Sequence, residues 1–250
     1  MPTPYETFAT LHVPGDPLII YNCWDPGSAV AIARAGAKAI ATGSYGVAES
    51  LGFCDGEKAP LPHVLDNARR IMSVVDLPVS IDFEGGYAVD PAGVAANLGK
   101  LAATGAVGCN FEDSVIGGEG VHPLDVQVAR IAAARCGAGE AFYINARCDL
   151  YLRTPPERHD ASLLDTVVDR AQAYLAAGGS GIFVPGLRDI ATIAAIVRRT
   201  DAKLNVIPAP GAPTRPLADA GVARVSYGHG PWAATMHWLE DQARGAIDWR

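Results

Sequence analysis

DPAGVAANLGKLAATGAVGCNFED, residues 90–113, contains one repeating unit of this chain from end to end. Asp90-Pro91 opens a helical stretch, since proline is tolerated in a first turn where its missing N–H would go unpaired anyway. Gly105 closes the stretch, because glycine takes the left-handed conformation that ends a helix at no steric cost. An apolar run, VGCNFE (107–112), follows and ends in acid. The same helix–glycine–strand junction returns as AGAKAI (35–40), AGGSGI (177–182) and AGVARV (220–225).

Extending that unit in both directions predicts eight strands: 17–22, 37–43, 78–83, 107–112, 141–147, 181–186, 203–209 and 223–228. Most are nearly continuous apolar runs, as in a parallel sheet covered on both faces. Helical patterns fall near 26–35, 62–75, 91–103, 123–136, 162–177, 189–199, 215–220 and 231–245. Eight strand–helix alternations with right-handed crossovers close most economically as an α/β fold of the (β/α)8 TIM-barrel type. A doubly wound open sheet is the alternative. It is weakened because the first strand leads into NCWDPGSA, without a GxGxxG turn. The expectation is one barrel domain over residues 1–250, with chemistry at the carboxyl ends of its strands.

The chain has 250 residues, 49% of them apolar and 19% charged, enough to bury a large core. Its formal charge of −7 argues against nucleic-acid binding, which needs a basic field. No run approaches a membrane span. The five cysteines (Cys23, Cys54, Cys109, Cys136 and Cys148) are odd in number and form no CxxC, and the N-terminus has no apolar signal core. These features point to free thiols in a reducing cytoplasm. Cys54 has no His or Lys beside it in sequence and is expected to be a packed thiol, while Cys109 and Cys148 are expected in the core.

Acids gather at the predicted strand ends. Asp82 and Glu84 end the third strand, Glu112 and Asp113 the fourth, and Asp55 lies in the loop after the second. Carboxylates converging at one barrel mouth repel unless a cation sits among them. Hard oxygen ligands without a His or Cys pattern suit Mg²⁺, with Mn²⁺ as a substitute. Arg147 ends the fifth strand and suits a substrate carboxylate, an ion pair with one of these acids being its alternative. Thr42, Gly43, Ser44 and Tyr45 form a small-residue loop whose N–H groups can hold an anionic group. His229 follows the eighth strand and could donate a hydrogen bond to substrate. Asn205 on the seventh is a further candidate for substrate contact. His12, His63, His159 and His237 are expected to be structural or on the surface.

GSYGVAESLG, DG, DFEGGY, FED, INARCD and GIFVPG, in this order from about Asn22 to Gly228, resemble the isocitrate lyase/phosphoenolpyruvate mutase superfamily. The resemblance implies a (β/α)8 barrel, Mg²⁺ and a small α-keto or α-hydroxy acid substrate. It also implies a homodimer or homotetramer in which the last helix, here 231–250, is exchanged between subunits. Asp82 matches the direct metal ligand; Glu84, Glu112 and Asp55 match acids that reach the metal through water. Arg147 matches the substrate-carboxylate arginine, and Thr42 to Tyr45 the substrate loop.

Departures from the family pattern bear on the reaction. The carbon–carbon lyases carry a Lys-Lys-Cys-Gly-His type lid whose Cys delivers a proton; here residues 114–122 read SVIGGEGVH. This segment is Gly-rich, as a mobile lid should be, and has neither Lys nor Cys. Standard isocitrate or methylisocitrate cleavage is therefore disfavoured. Decarboxylation of a β-keto acid such as oxaloacetate needs no lid acid to begin. A lyase for an alkylated malate using Glu119 or His122 instead, a phosphonopyruvate hydrolase or mutase, and a non-catalytic carboxylate binder remain the alternatives.

Overall fold

A computed structural model describes residues 2–249. The elements run α1 (Pro4–Thr10), β1 (Leu18–Ile20), α2 (Pro26–Arg34), β2 (Ile40–Ala41), α3 (Ser44–Ser50), α4 (Leu61–Met72), β3 (Val79–Asp82) and α5 (Pro91–Ala102). They continue with β4 (Gly108–Glu112), α6 (Leu124–Ala138), β5 (Tyr143–Arg147), α7 (Leu150–Arg153), a 3₁₀ turn (Pro156–Arg158) and α8 (Ala161–Ala176). The last third holds β6 (Gly181–Phe183), α9 (Ile190–Thr200), β7 (Leu204–Val206), α10 (Arg215–Asp219), β8 (Arg224–Ser226) and α11 (Gly230–Ile247).

All eight strands are parallel, in the order β1-β8-β7-β6-β5-β4-β3-β2. Just beyond the ends of β1 and β2, Cys23 bridges Thr42; Cys23 N–H donates to Ala41 O at 2.9 Å and Gly43 N–H to Cys23 O at 3.0 Å. That bridge closes the sheet into the expected barrel.

Alternation along each strand sorts side chains into two cores. Ile81, Phe111, Ile144, Ala146, Ile182, Leu204 and Val225 point outward into one large cluster beneath the helices. A second cluster of Phe8, Leu18, Ile20, Ala39, Ala41, Val107 and Tyr143 fills the barrel's lower interior, with α1 as its plug. Higher in the barrel the inward positions turn polar: Asp82, Asn110, Glu112, Asn145 and Arg147.

Three helices have no counterpart among the expected ones: α1, α3 and α7. The small-residue segment expected as a loop after β2 is the start of α3, with Gly43 as its N-cap. Cys109 and Cys148 are buried as expected, whereas Cys54 is exposed, contrary to the packed thiol anticipated. It stands in the connection between α3 and α4, outside both helices, where its thiol faces solvent. No helix among the described residues is long and apolar enough to cross a membrane.

Candidate active site

Asp82, the last residue of β3, is held from three sides. Its N–H donates to Thr42 Oγ1 at 2.9 Å, its Oδ2 accepts from the Ser44 N–H at 3.1 Å, and its Oδ1 accepts from Asn110 Nδ2 at 3.3 Å. Asn110 is its register partner on β4, and Asn145 Nδ2 in turn donates to Asn110 Oδ1 at 2.8 Å. A ladder of inward amides thus fixes the carboxylate. Thr42 and Ser44, expected at the substrate, are engaged with Asp82. Thr42 is buried, and Ser44 reaches Asp82 with a backbone N–H at the start of α3.

Glu84 follows two residues later with φ +48°, a conformation unusual for a side chain larger than glycine. Its Oε2 accepts from the Glu57 N–H at 2.7 Å and its Oε1 from Tyr87 Oη at 3.3 Å. Glu57 Oε1 accepts from the Tyr87 N–H at 2.8 Å. Glu57 and Tyr87 are also left-handed, at φ +59° and +56°, so strained backbone concentrates at this one corner of the mouth. Glu57 escaped the sequence reading because its partners lie 27 and 30 residues away.

Glu112 and Arg147 end β4 and β5 as register partners, which explains their ion pair: Nη1 lies 2.8 Å from Glu112 Oε2. The Arg147 Nε donates to Asp149 Oδ1 at 2.6 Å, and the guanidinium lies 5.7 Å from the Phe183 ring centroid. Nη2 alone is left for a ligand. Asp149 is fully buried and also accepts from Ser114 Oγ at 2.5 Å, at the foot of the expected lid. It sits inside the INARCD motif, yet sequence alone does not show that it holds Arg147.

The lid segment is a small hairpin. Ser114 bridges Val121, and Val115 N–H donates to Gly120 O at 3.1 Å. Its base rests on buried Asp113, which accepts from Tyr174 Oη at 2.7 Å and Arg170 Nε at 3.1 Å. Glu119 is exposed at the tip. His122 is buried at the base, its carbonyl accepting from Arg170 Nη2 at 2.7 Å. Burial, helped by Arg130 and Arg170, lowers the His122 pKa. His229 caps α11 in the open, its ring 5.7 Å from that of Tyr45. Asn205 lies inside the barrel, fully buried, with its Oδ1 accepting from Ser226 Oγ at 3.1 Å.

The electrostatics tie the acids together. Burial pushes Glu84 up to about 8, with Asp55 and Asp82 adding repulsion. Glu112 is also pushed up to about 8, by burial first, with Arg147 opposing and Asp149, Asp82 and Glu84 contributing. Asp55, although exposed on one side, is raised by its surroundings and then by Asp82. Burial works against the Arg147 charge, but Glu112, Asp149 and Asp82 overcome it and raise its pKa. Among the described residues no three acidic, His or Cys side chains stand close enough to ligate one ion together. A cation placed among these mutually repelling acids would relieve their repulsion and would have to keep most of its water shell. Mg²⁺ behaves in this way.

The sequence model of the family described as Phosphoenolpyruvate phosphomutase matches residues 8–247. A solved structure from Burkholderia cenocepacia J2315, provisionally titled a phosphonomutase, superposes with a TM-score of 0.94 at 40% identity, over 97% of this chain and 98% of that one. The 2-methylisocitrate lyase of Escherichia coli K12 is 29% identical over 76% of this chain and 64% of its own length. The oxaloacetate decarboxylase of Pseudomonas aeruginosa LESB58 is 27% identical over 90% of this chain and 80% of its own.

Proposed function

The chain belongs to the phosphoenolpyruvate mutase family of the isocitrate lyase/phosphoenolpyruvate mutase superfamily, and on that premise we propose a Mg²⁺-dependent lyase that decarboxylates a small β-keto dicarboxylate of the oxaloacetate type. The observation that carries this reading is the acid set Asp82, Glu84, Glu112 and Asp55, facing Arg147 beneath a lid that offers neither thiol nor amine.

Asp82 would hold the cation directly, and Glu84, Glu112 and Asp55 would hold it through water; Mn²⁺ could take its place. When bound, the cation stabilises negative charge as it develops on the keto oxygen. Arg147 binds the substrate carboxylate through Nη2, held in aim by Glu112 and Asp149. Breaking the bond from the carboxylate-bearing carbon to CO2 leaves its electron pair in a pyruvate-like enolate. Solvent protonates that carbon, so no lid acid is required. Tyr45 and His229 line the open side, and residues 114–122 limit access of water while the enolate exists.

The test offers oxaloacetate, an alkylmalate and phosphonopyruvate to the enzyme with Mg²⁺ and follows pyruvate. Turnover of oxaloacetate alone is the expected result. Pyruvate from the alkylmalate with no turnover of oxaloacetate would assign Glu119 or His122 the missing acid's role. Turnover of phosphonopyruvate would place the chain among phosphonate enzymes. Titration with oxalate, an enolate mimic, separates enzyme from binder: uptake should require Mg²⁺, and metal-independent uptake with no turnover would indicate a non-catalytic carboxylate binder.

A further inference from the structure

Beneath the acids, the barrel interior contains a cation that the site above does not use. Arg224, at the start of β8, is fully buried. Its Nε donates to Ser226 Oγ at 3.1 Å, and that hydroxyl donates to Asn205 Oδ1 at 3.1 Å. Nη1 and Nη2 have no hydrogen-bond partner among the described residues, although the Asp82 carboxylate above acts on the guanidinium through space. The surroundings are equally unsatisfied: Asn205 Nδ2, Tyr143 Oη, Asn145 Oδ1 and His12 Nε2 are all buried and unpaired. These groups are neighbours. Asn205 is the register partner of Arg224, Tyr143 stacks on His12 with centroids 4.2 Å apart, and both rings feel the Arg224 charge.

Counting donors against acceptors separates the candidate occupants. Arg224 offers four Nη hydrogens and Asn205 two amide hydrogens, against two acceptors, Asn145 Oδ1 and His12 Nε2; Tyr143 can act either way. His12 is an acceptor there because its Nδ1 bonds the Phe8 carbonyl at 2.8 Å. Water would supply as many hydrogens as it accepts and would leave the excess of donors unmet. Leaving the buried donors of a charged group without acceptors is costly even with the Asp82 carboxylate acting from above. The inward side chains nearby, Ala39, Ala41, Ser80 and Ser226, are small, and α1 closes the barrel below with Phe8.

We propose that the barrel interior binds one small monovalent inorganic anion of halide size, held by the Arg224 Nη atoms with Asn205 Nδ2 and Tyr143 Oη. This site is separate from the proposed substrate site and does not depend on the reaction catalysed there. Its role is to neutralise Arg224 and stabilise the barrel.

The experiment refolds the full chain in gluconate, a bulky polyhydroxy anion, and transfers it to bromide at constant ionic strength. At ten times Kd the melting temperature should rise by about 3–5 °C. Anomalous scattering from a bromide-soaked crystal should place one ion within hydrogen-bonding distance of Arg224 Nη. In Tyr143→Phe the bromide dependence should weaken, and in Arg224→Met it should vanish. If Arg224→Met does not fold, the Tyr143→Phe titration and the crystal decide. Equal melting in bromide and gluconate, with only water at the Nη atoms, overturns the proposal.

Discussion

At the scale of single residues, Asp82 and Asp149 separate two tasks that one acid-rich mouth performs. Asp82→Ala removes the carboxylate proposed to bind the cation directly. Its partners Thr42, Ser44 and Asn110 are small polar groups that water can satisfy at the mouth. Turnover should fall by about a thousandfold or more while the melting transition survives, measured by pyruvate release and calorimetry. Wild-type activity in this variant would remove the basis for the metal assignment. Asp149 acts through Arg147 and is a positioning residue. Asp149→Asn keeps an oxygen for Arg147 Nε but loses the charge, so kcat/KM should drop by about 10–100-fold with Mg²⁺ affinity unchanged. An equal loss in Mg²⁺ affinity would show that Asp149 does not work through the arginine.

His12 gives a pH signature of its own. Burial, with Arg224 nearby, pushes it down to about 3, against about 6.5 in an unfolded chain. Between those values the unfolded state binds a proton that the folded state refuses, so stability rises with pH through the window. As pH falls from about 6.5 towards 3, His12 should cost the fold about 1.4 kcal/mol per unit, levelling off below. Denaturant titrations of wild type and His12→Phe should diverge in slope over that range, the carboxylates being common to both. Parallel slopes would show that the imidazole is not buried as described.

At the scale of elements, the barrel was legible because its signals are local. At four junctions a glycine after a helix and an apolar run after the glycine lie within a few residues of one another, and all eight strands fall within the apolar runs expected to hold them. The strands are shorter than expected because pairing stops where the barrel opens, while the apolar run continues into the mouth. Asp82, Glu84, Glu112 and Arg147 were legible for a similar reason, since each ends or follows a strand. Glu57 and Asn110 as partners were not legible, because contacts made across 27 to 30 residues leave no local trace, whereas Asp149 stands only two residues from Arg147 and was missed because an acid after a strand reads equally well as a loop residue. α3 was hidden because Gly43, Ser44 and Gly46 read as turn residues.

One packing contact between elements was equally invisible. α5 and α6 approach so closely that a Cβ on Gly137 would overlap the Ala95 carbonyl, while one on Gly99 would meet Gly137 O at 3.3 Å. Gly137→Ala should therefore destabilise the fold by about 1–3 kcal/mol, although alanine is the better helix former. Gly99→Ala should cost less. Urea unfolding of both variants measures the difference, and a neutral Gly137→Ala would mean that the two helices can move apart.

At the scale of the whole molecule, two apolar surfaces stand exposed among the described residues. α11 leaves its own barrel after Trp232, which packs edge-on against Trp24 at 5.2 Å; beyond it Trp238, Leu239 and Ile247 are all exposed. On the barrel, the outer face of β1 is bare. Ile19 and Tyr21 open onto a groove of about 520 Å³, lined also by Leu11, Pro17, Ile32 and Lys38. A barrel strand normally has a helix over its outer face. One contact between two copies could cover both the outer face of β1 and the apolar side of α11. A second copy makes that contact if each α11 lies on the other's β1. On that arrangement, sedimentation at micromolar concentration should find the expected homodimer or homotetramer. Trp238→Glu with Leu239→Glu on the helix, or Ile19→Glu on the strand, should each shift the protein towards monomer, because the two changes injure opposite sides of one contact. If the helix variant dissociates the assembly and the strand variant does not, α11 docks elsewhere on its partner. If wild type sediments as a monomer, the exposed helix must find its cover in a different molecule, and the exchange is excluded.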